Sequence, residues 1–452
     1  MSDTIAAIAT GAQVAAIGIL RLSGPEAISL VDRLFEPLHG GPMAAREDRR
    51  LIYGRLKTRA GELLDLCLCT VSRAPNSYTG EDTAELQCHG SPIMLRTALE
   101  ELFALGARQA GPGEFTKRAF LNGRLELSSA EAVADLIDAE TREAARNAAG
   151  QLSGAVSEKV GRVYAALGEI SAHYHAVLDY PDEDIEPFLL EQYRSTLRDA
   201  LTELTRLRDS FKRGQQLTAG IPTVLVGRPN AGKSSLLNAL LGYDRAIVTP
   251  VPGTTRDTIE EKLRLGGLLL RLTDTAGIHE TEDAVERLGV DRSRAALEQA
   301  ELVLAVIDGS EDFTAEDAAL IAAAERAPKG LVLLSKSDKP QRTARVETRL
   351  PVLSISSVTG EGLGELEEAV AALFPLPEVP AGEILTNARQ HEAITRAIEA
   401  LRAALEAIEL GLTPDLVLTE SEGAMQALGE LTGKNIRQDV TERIFSRFCV
   451  GK

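Results

Sequence analysis

The segment Gly227-Arg-Pro-Asn-Ala-Gly-Lys-Ser234 decides the fold of the central part of this chain. It matches G-x-x-x-x-G-K-[ST], a turn whose glycines leave backbone N–H groups free to surround phosphates. The turn follows the apolar run Thr223 to Val226 and opens the helical segment Lys233 to Leu241, and these flanks argue against a chance glycine-rich turn. We predict that the Lys233 amine binds phosphates and that the Ser234 hydroxyl binds Mg²⁺. The predicted nucleotide contacts are Asn230, Ala231, Gly232, Lys233, Ser234 and Ser235.

Further apolar runs follow this turn, and helical segments such as Ala315 to Arg326 lie between most of them. The runs are Leu268 to Thr273, Leu302 to Ile307, Leu331 to Ser335 and Val352 to Ile355. Because strands alternate with helices, the pattern predicts a parallel sheet with helices on both faces.

Two segments after the phosphate loop are typical of loops that respond to a γ-phosphate. Asp274-Thr-Ala-Gly277 ends the second run, where Asp274 suits the outer shell of Mg²⁺ and the Gly277 amide can detect the phosphate. A threonine in Gly253-Thr-Thr-Arg-Asp257 can bind Mg²⁺ only while that phosphate is present, although a plain threonine-rich turn is the alternative. The predicted nucleotide contacts here are Asp274, Thr275, Ala276 and Gly277.

The residues after the fourth and fifth runs predict recognition of guanine. Ser335-Lys-Ser-Asp338 corresponds to the Asn-Lys-x-Asp motif of GTPases, whose aspartate accepts hydrogen bonds from guanine N1 and N2. Asp338 and Lys336 keep the main base contact and the stacking stem, while Ser335 replaces the asparagine. The pair Ser356-Ser357 would close over the base.

The group that activates the attacking water is not the usual one. Ile278 follows Gly277, where Ras-type enzymes have a glutamine that orients water. Isoleucine cannot orient water, so the acidic stretch from Glu280 to Glu286 is the nearest source of such a group. No arginine finger can be assigned, and another group must neutralise the developing charge.

The regions on either side of this domain have different patterns. Residues 1–120 combine strand-like runs such as Leu63 to Val71 with a helical segment from Ser91 to Leu105, which predicts a mixed α+β domain. A helical period begins near Ser128 and returns from about Asn387. We therefore predict one helical domain that is interrupted in sequence by the α/β insert.

Composition narrows the classes of function. The 452 residues are 44% hydrophobic and 26% charged, as in globular proteins. Because the formal net charge is −18, binding of nucleic acid requires a local basic patch or a partner that supplies one. Four cysteines are no disulfide framework, and no apolar run reaches the roughly 18 residues that span a bilayer. We expect a soluble, cytoplasmic protein without membrane contact.

Segments outside the nucleotide motifs show a family resemblance over nearly the whole chain. They include Asp3-Thr-Ile-Ala-Ala-Ile-Ala-Thr10, Ser77-Tyr-Thr-Gly-Glu-Asp82, Pro112-Gly-Glu-Phe-Thr116 and Arg118-Ala-Phe-Leu-Asn122, with Phe448-Cys-Val-Gly-Lys452 at the end. Together with the phosphate loop, these segments resemble the family of tRNA modification GTPases called MnmE or TrmE.

The resemblance implies a domain organisation and a reaction. An N-terminal α+β folate-binding and dimerisation domain (1–120) would precede a helical domain in two parts (121–215 and 379–452) and its inserted Ras-like P-loop GTPase domain (216–378). A homodimer would form a heterotetramer with the flavoprotein MnmG, also called GidA. This complex would add an aminomethyl-type group, of the carboxymethylaminomethyl kind, to carbon 5 of the wobble uridine of certain tRNAs. The implied ligands are GTP, Mg²⁺, K⁺ and 5,10-methylene- or 5-formyltetrahydrofolate.

The resemblance also implies how GTP hydrolysis is activated. Thr255 would be the switch ligand of Mg²⁺, and Glu286 would position the attacking water through a bridging water. A K⁺ ion would stand in place of an arginine finger and bring the G domains of the dimer together. Its ligands would be Asn230 and the backbone at Thr249, Val251 and Thr254.

The implied folate site draws on both ends of the sequence. Arg21, Glu85 and Lys452 match family positions, whereas Arg124 replaces the usual lysine and changes the donor geometry. Cys449 either assists the chemistry beside the folate or is a small residue next to a ligand.

Two other classes of function stay open. A ribosome-assembly GTPase would usually carry a KH-like module or a second phosphate loop, and we find neither pattern. A folate-binding scaffold with a degenerate GTPase is the other class, prompted by Ser335. For Cys67 and Cys69, which alternate on a strand, core packing is favoured over a metal site.

Overall fold

The structure is a computed structural model in which the chain forms two compact units. The first unit comprises Met1–Ala134, Gln151–Thr205 and Arg389–Lys452, and the second comprises Asp135–Gly150 and Arg206–Ala388. Both units are therefore discontinuous in sequence. The structure describes residues 3–11, 13–179, 190–243, 260–273, 296–343, 346–375, 380–433, 441, 444–446 and 448–451.

The elements of the described residues follow the two periods seen in the sequence. The strands are β1 (Ile5–Ile8), β2 (Ala15–Ser23), β3 (Phe35–Pro37), β4 (Ile52–Lys57), β5 (Leu63–Ser72), β6 (Thr83–Gly90), β7 (Arg108–Gln109), β8 (Ile221–Val226), β9 (Glu260–Leu265), β10 (Leu268–Thr273), β11 (Leu302–Asp308), β12 (Lys329–Ser335) and β13 (Val352–Ser354). The helices are α1 (Ala27–Asp32), α2 (Pro92–Ala104), α3 (Glu114–Leu121), α4 (Leu127–Ile137), α5 (Arg142–Leu152), α6 (Ala155–Asp179), α7 (Leu190–Asp209), α8 (Phe211–Thr218), α9 (Lys233–Tyr243), α10 (Ala315–Arg326), α11 (Leu363–Leu373), α12 (Ala388–Glu409) and α13 (Pro414–Thr432). Among these helices, none combines the length and the apolar character needed to cross a membrane.

The first unit is built on a sheet with the strand order β3-β4-β5-β6-β2-β1-β7. The neighbouring strands are antiparallel except β1 and β7, which are parallel. Because side chains alternate between the two faces of a strand, Cys67, Cys69 and Val71 of β5 all point into one core, beside Leu86 of β6. Helix α2 adds Leu95 to this core, and the predicted core packing of Cys67 and Cys69 is confirmed.

The opposite face of this sheet exposes large apolar side chains. Ile17 of β2 is 57% exposed, Tyr53 of β4 is 49% exposed and Leu66 of β5 is 40% exposed. The strand register also places Arg21 of β2 opposite Glu85 of β6. Several exposed large apolar side chains on one face favour an interaction surface there. We call this side of the sheet the open face.

Helices from both sides of the insert pack together in the first unit. Helices α6 and α13 are in contact, and Tyr193 of α7 donates a hydrogen bond to the Ser421 hydroxyl of α13 (2.8 Å). Arg389 of α12 donates two hydrogen bonds of 2.8 Å to the Glu131 carboxylate of α4. The predicted helical domain that is interrupted in sequence is therefore confirmed.

The second unit contains a sheet with the order β13-β12-β11-β8-β10-β9. Strand β8 is parallel to both β10 and β11, and the parallel pairing continues through β12 to β13. All residues of β11 are buried, as expected for a central strand with both faces covered. The five apolar runs predicted as strands are confirmed as β8, β10, β11, β12 and β13.

Strand β9 was missing from the prediction. It is antiparallel to β10, and its sequence Glu260-Glu-Lys-Leu-Arg-Leu265 is too charged to stand out as an apolar run. Gly266 and Gly267, with φ angles of 61° and 75°, form the turn between the two strands. Two-residue hairpins require this left-handed backbone, which glycine adopts without strain.

The long segment of this unit, Arg206–Ala388, begins and ends at neighbouring positions. The Leu385 N–H donates to the Ser210 hydroxyl oxygen (3.0 Å). The buried Asn147 amide donates to the Ile384 carbonyl (3.0 Å), and its oxygen accepts from the N–H groups of Gly382 (3.1 Å) and Ile384 (3.3 Å). The segment that returns from the sheet is therefore held against α5 and the end of α7.

Candidate functional site

The phosphate loop and the two predicted base motifs lie at the carboxyl ends of the parallel strands. The phosphate loop follows β8, whose neighbours β10 and β11 lie on opposite sides of it. In open α/β sheets, ligands bind in the crevice where the strand order changes direction in this way. Asp308 ends β11, Ser335 ends β12 and Ser356 follows β13, so the base motifs lie at the same edge.

The backbone of the phosphate loop has the concave form that an anion requires. Asn230 and Gly232 have φ angles of 63° and 98°, so left-handed residues flank Ala231. Turns of this kind direct successive N–H groups towards one point. A Cβ atom on Gly227 would lie 2.5 Å from the Val306 carbonyl oxygen, so only glycine fits at the start of the loop.

Lys233 places a cation inside this loop. It is the first residue of α9, and its ammonium group donates to the carbonyls of Gly227 (2.7 Å) and Arg228 (2.9 Å). Ser234 and Ser235 follow in the exposed first turn of the helix. Because the N-terminus of a helix is electropositive, it adds to the attraction that Lys233 exerts on an anion.

The base loop after β12 is fixed by side-chain contacts. The Ser356 hydroxyl, which is fully buried, donates to Oδ1 of the exposed Asp338 (2.6 Å). Lys336 has a φ angle of 60°, and its ammonium group binds the Asp308 carboxylate. Ser357 is half-buried beside Ser356. The carboxylate and the lysine stem predicted to bind guanine are therefore both held in place.

The charge of Asp308 stabilises this arrangement. Burial alone would raise the pKa of Asp308, but hydrogen bonds from Lys336 and Ser310 lower the pKa below its ordinary value. The carboxylate is therefore ionised at neutral pH and pairs with the Lys336 ammonium group.

Other predicted site residues lie outside the described residues, and their roles stay predictions. They are Thr249, Val251, Thr254, Thr255, Asp274, Thr275, Ala276, Gly277, Glu286 and Lys452.

The structure brings Arg21 and Glu85 of the predicted folate site together on the open face. Arg21 Nε lies 2.8 Å from Glu85 Oε1, and both side chains are half-buried. The Arg21 guanidinium lies 5.9 Å from the ring centre of Tyr78 and 5.7 Å from that of Phe115. Both distances are within the range of a cation–π contact, so the rings help to orient Arg21.

Arg124 and Cys449 approach neighbouring segments. A Cβ atom on Gly80 would lie 3.2 Å from Cγ of the exposed Arg124, which places the Arg124 stem against the loop that carries Tyr78. Cys449 is exposed, and its carbonyl oxygen accepts a hydrogen bond from the Gly113 N–H (3.1 Å). The end of the chain therefore contacts the loop before α3, two residues from Phe115.

An ion-pair network that the sequence did not predict surrounds Arg118 of α3. The buried Arg118 donates to Glu81 (2.9 Å), to the Asp3 carboxylate (2.8 Å) and to Glu114 (3.0 Å). Burial alone would raise the pKa of Glu114, but hydrogen bonds from Arg108, the Gly111 N–H and Arg118 lower the pKa from 4.5 to about 2. The only signal in the sequence was that Arg118 and Glu81 belong to segments that carry the family resemblance.

A second missed cluster surrounds Arg228 of the phosphate loop. Its guanidinium lies 3.4 Å from Asp317, 3.5 Å from Glu311 and 3.8 Å from Glu316. Asp317 also accepts from the Thr314 N–H at the start of α10 (2.9 Å). Arg228 therefore connects the phosphate loop to the N-terminus of α10. The pattern G-x-x-x-x-G-K-[ST] allows any residue at position 228, so the motif did not predict this role.

Comparisons with known proteins cover the whole chain. The model of the MnmE helical domain matches residues 127–449, and that of the GTP-binding protein TrmE N-terminus matches residues 4–124. The tRNA modification GTPase MnmE of Symbiobacterium thermophilum is 44% identical over 458 residues, which cover 100% of this chain and 99% of the relative. Its namesake from Chloroflexus aurantiacus is 43% identical over 459 residues, with 100% of both chains covered.

Among solved structures, the G domain of the T. maritima FeoB iron transporter is 27% identical, with a TM-score of 0.26. The match covers 33% of this chain and 96% of that chain, and the TM-score is too low to support any conclusion. The helical-domain model, in contrast, matches more than half of the chain, and the two relatives match it from end to end. The chain therefore belongs to the MnmE/TrmE family.

Proposed function

We propose that this chain hydrolyses GTP and that this activity serves tRNA modification. The proposed reaction, carried out with a flavoprotein, adds a carboxymethylaminomethyl-type group to carbon 5 of the wobble uridine of certain tRNAs. The observation that supports GTP binding most directly is the meeting of the Lys233 loop and the Asp338 loop at one edge of the sheet. Membership of the family supports the link to tRNA.

The phosphate loop would hold the triphosphate through its backbone and Lys233. When a nucleotide binds, the Lys233 ammonium group would exchange the carbonyls of Gly227 and Arg228 for oxygens of the β- and γ-phosphates. Ser234, at the start of α9, would bind Mg²⁺ together with Thr255. The ion would supply positive charge to the phosphates as the γ-phosphoryl group leaves.

Guanine would be selected by the loop after β12. The Ser356 hydroxyl fixes one oxygen of Asp338, and the exposed carboxylate would accept hydrogen bonds from guanine N1 and N2. Adenine presents an acceptor at N1 and would leave the carboxylate without a partner, which costs binding free energy. Lys336, held by Asp308, would pack its stem against the base.

Hydrolysis would depend on groups other than a glutamine and an arginine finger. Glu286 would position the attacking water, since Ile278 cannot. Asn230, exposed in the phosphate loop, would join the backbone of Thr249, Val251 and Thr254 in holding K⁺. This ion would add positive charge near the phosphates and favour contact between two G domains.

The N-terminal sheet would bind a tetrahydrofolate, 5,10-methylene or 5-formyl. Glu85 would accept from the N–H donors of the pterin, and Arg21 is already paired with it at 2.8 Å. Arg124 and Lys452 would attract the carboxylates of the glutamate tail. Cys449, exposed at its contact with the loop before α3, would lie near this ligand.

The open face of the same sheet would form the homodimer interface. Its exposed Ile17, Tyr53 and Leu66 provide the apolar surface that a stable interface needs. Because Arg21 and Glu85 lie on this face, dimerisation would also enclose the folate ligand. We propose that MnmG joins the homodimer as a heterotetramer in the cytoplasm.

With a net charge of −18, the chain would bind tRNA through a local patch or through the flavoprotein. The proposed domains are 1–120 for the folate-binding domain, 121–215 and 379–452 for the helical domain, and 216–378 for the G domain.

Two measurements test the proposal. GTP hydrolysis should be faster in KCl than in NaCl at the same ionic strength, and equal rates would remove K⁺ from the mechanism. Nucleoside analysis of tRNA from a deletion strain should show loss of the wobble modification. If the wobble modification persists in that strain, GTP hydrolysis by this chain does not serve the proposed modification.

A further inference from the structure

Ser335, which replaces the asparagine of the guanine motif, points away from solvent. Its side chain is 2% exposed at the end of β12. The hydroxyl lies 2.5 Å from the carbonyl oxygen of Ala231 in the phosphate loop and 3.1 Å from that of Ile307 in β11. A hydroxyl donates one hydrogen, and the Ala231 carbonyl is the nearer acceptor.

The Ala231 carbonyl belongs to the same peptide group as the Gly232 N–H. A trans peptide is planar, and its C=O and N–H bonds point in opposite directions. Holding the carbonyl on Ser335 therefore turns the Gly232 N–H away from Ser335.

The conformation of this peptide needs such support. The peptide lies in a tight turn between two left-handed residues, because Asn230 and Gly232 have φ angles of 63° and 98°. Ala231 is 2% exposed, so water cannot replace a hydrogen bond lost from its carbonyl. Gly232 lies close to the serine, because a Cβ atom on Gly232 would be 3.6 Å from Ser335 Oγ.

We propose that Ser335 is a positioning residue that directs the Gly232 N–H towards the phosphates by holding the Ala231 carbonyl. The proposal rests on the proposed GTP binding and deepens it, since it assigns Ser335 to the phosphate chain of the nucleotide. Recognition of the base then depends on Asp338 and Lys336.

Direct binding measurements separate an effect on phosphates from an effect on the base. The probes are GDP and 7-deaza-GDP, in which a CH group replaces the N7 acceptor of guanine. Ser335→Ala should weaken both by roughly 3- to 10-fold, the loss expected for one hydrogen bond, with their affinity ratio unchanged. The matched control is Ser337→Ala in the same loop, because the Ser337 hydroxyl binds Glu361 (3.0 Å) and not the phosphate loop.

A spectroscopic readout distinguishes positioning from loss of stability. The ³¹P shift of the β-phosphate of bound GDP should change in Ser335→Ala and stay as in the wild type in Ser337→Ala. The proposal is overturned if the folded fraction of Ser335→Ala binds GDP with wild-type affinity, even with a lower Tm. It is also overturned if the variant loses only the preference for GDP over 7-deaza-GDP. If the wild-type chain binds no GDP, the proposed function fails instead.

Discussion

Replacing Arg118 by methionine should destabilise the N-terminal part of the first unit. The guanidinium bonds to Glu81, Glu114 and Asp3, and it also donates to the Asp3 carbonyl (2.8 Å). Methionine fills a similar volume but removes this cation, so Glu81 loses its ion pair and only Arg108 still pairs with Asp3 and Glu114. Removing one partner of a buried ion pair is costly because the other charge stays buried.

The exposure of the partners sets the size of the effect. The side chains of Glu81 and Glu114 are 15% and 18% exposed, whereas that of Asp3 is 55% exposed and is largely screened by water. Glu114 also keeps its bonds to Arg108 and to the Gly111 N–H. We therefore expect a loss of about 3 kcal/mol, at the lower end of the values for broken buried pairs.

Hydrogen exchange of α3 measures this loss locally. The free energy of opening of α3 should fall by about 3 kcal/mol, which corresponds to roughly 100-fold faster exchange. The matched control is Arg162→Met, because Arg162 pairs with Glu158 on an exposed helix surface. This change should lower the free energy of opening of α6 by less than about 0.5 kcal/mol. A loss in Arg118→Met no larger than in the control would refute the reasoning.

The same network predicts a dependence on pH. The pKa of Glu114 is lowered from 4.5 to about 2, so its stabilising contribution is present above pH 4.5 and is lost as the pH falls towards 2. In the Arg118→Met variant the pKa should lie closer to 4.5, and the opening free energy of α3 should vary less over this interval. Parallel curves for the two proteins would contradict this account.

Three further substitutions test the proposed sites. Asp338→Asn should weaken GTP binding by at least about 10-fold and favour binding of xanthosine triphosphate, because the amide can donate to the second oxygen of xanthine. Competition binding with the two nucleotides measures both effects. Leu66→Lys on the open face should convert dimers to monomers in analytical ultracentrifugation. The 40% of Leu66 that is exposed contributes about 1 kcal/mol of apolar burial per copy, and the change also puts a charge in the interface. Ile93→Lys, at an 81% exposed position on α2, should leave the dimer intact. Glu286→Ala should abolish GTP hydrolysis in turnover assays while GTP binding is kept, and unchanged turnover would exclude Glu286 from the role.

The sequence predicted the sheet of the second unit where burial leaves a strong pattern. Central parallel strands are covered on both faces, so β11 and β12 read as continuous apolar runs bounded by turns. The edge strand β9 is covered less and alternates charged with apolar residues. Its clearest signal was the Gly266-Gly267 turn, and the prediction did not use it.

The missed contacts join residues that are far apart in sequence. Arg118 and Asp3 are separated by 115 positions, and Ser335 and Ala231 by 104. No local period reports such contacts, because they depend on how strands and loops are brought together by the fold. The motif around Ser335 predicted its place at the nucleotide site, but only the structure shows that its hydroxyl points to the phosphate loop.

The hydrogen bond between Ser210 and Leu385 has a consequence for protein engineering. The chain segments before and after the nucleotide-binding sheet meet at this bond. In terms of chain connectivity, the whole sheet is therefore one long insertion in a surface loop. The entropy cost of closing a loop grows only slowly with its length. We expect that a short glycine-serine bridge, or a nucleotide-binding module from another protein, can replace the residues between Ser210 and Gly382. Asn147 must then be kept together with the returning segment from Gly382 to Leu385 that it holds.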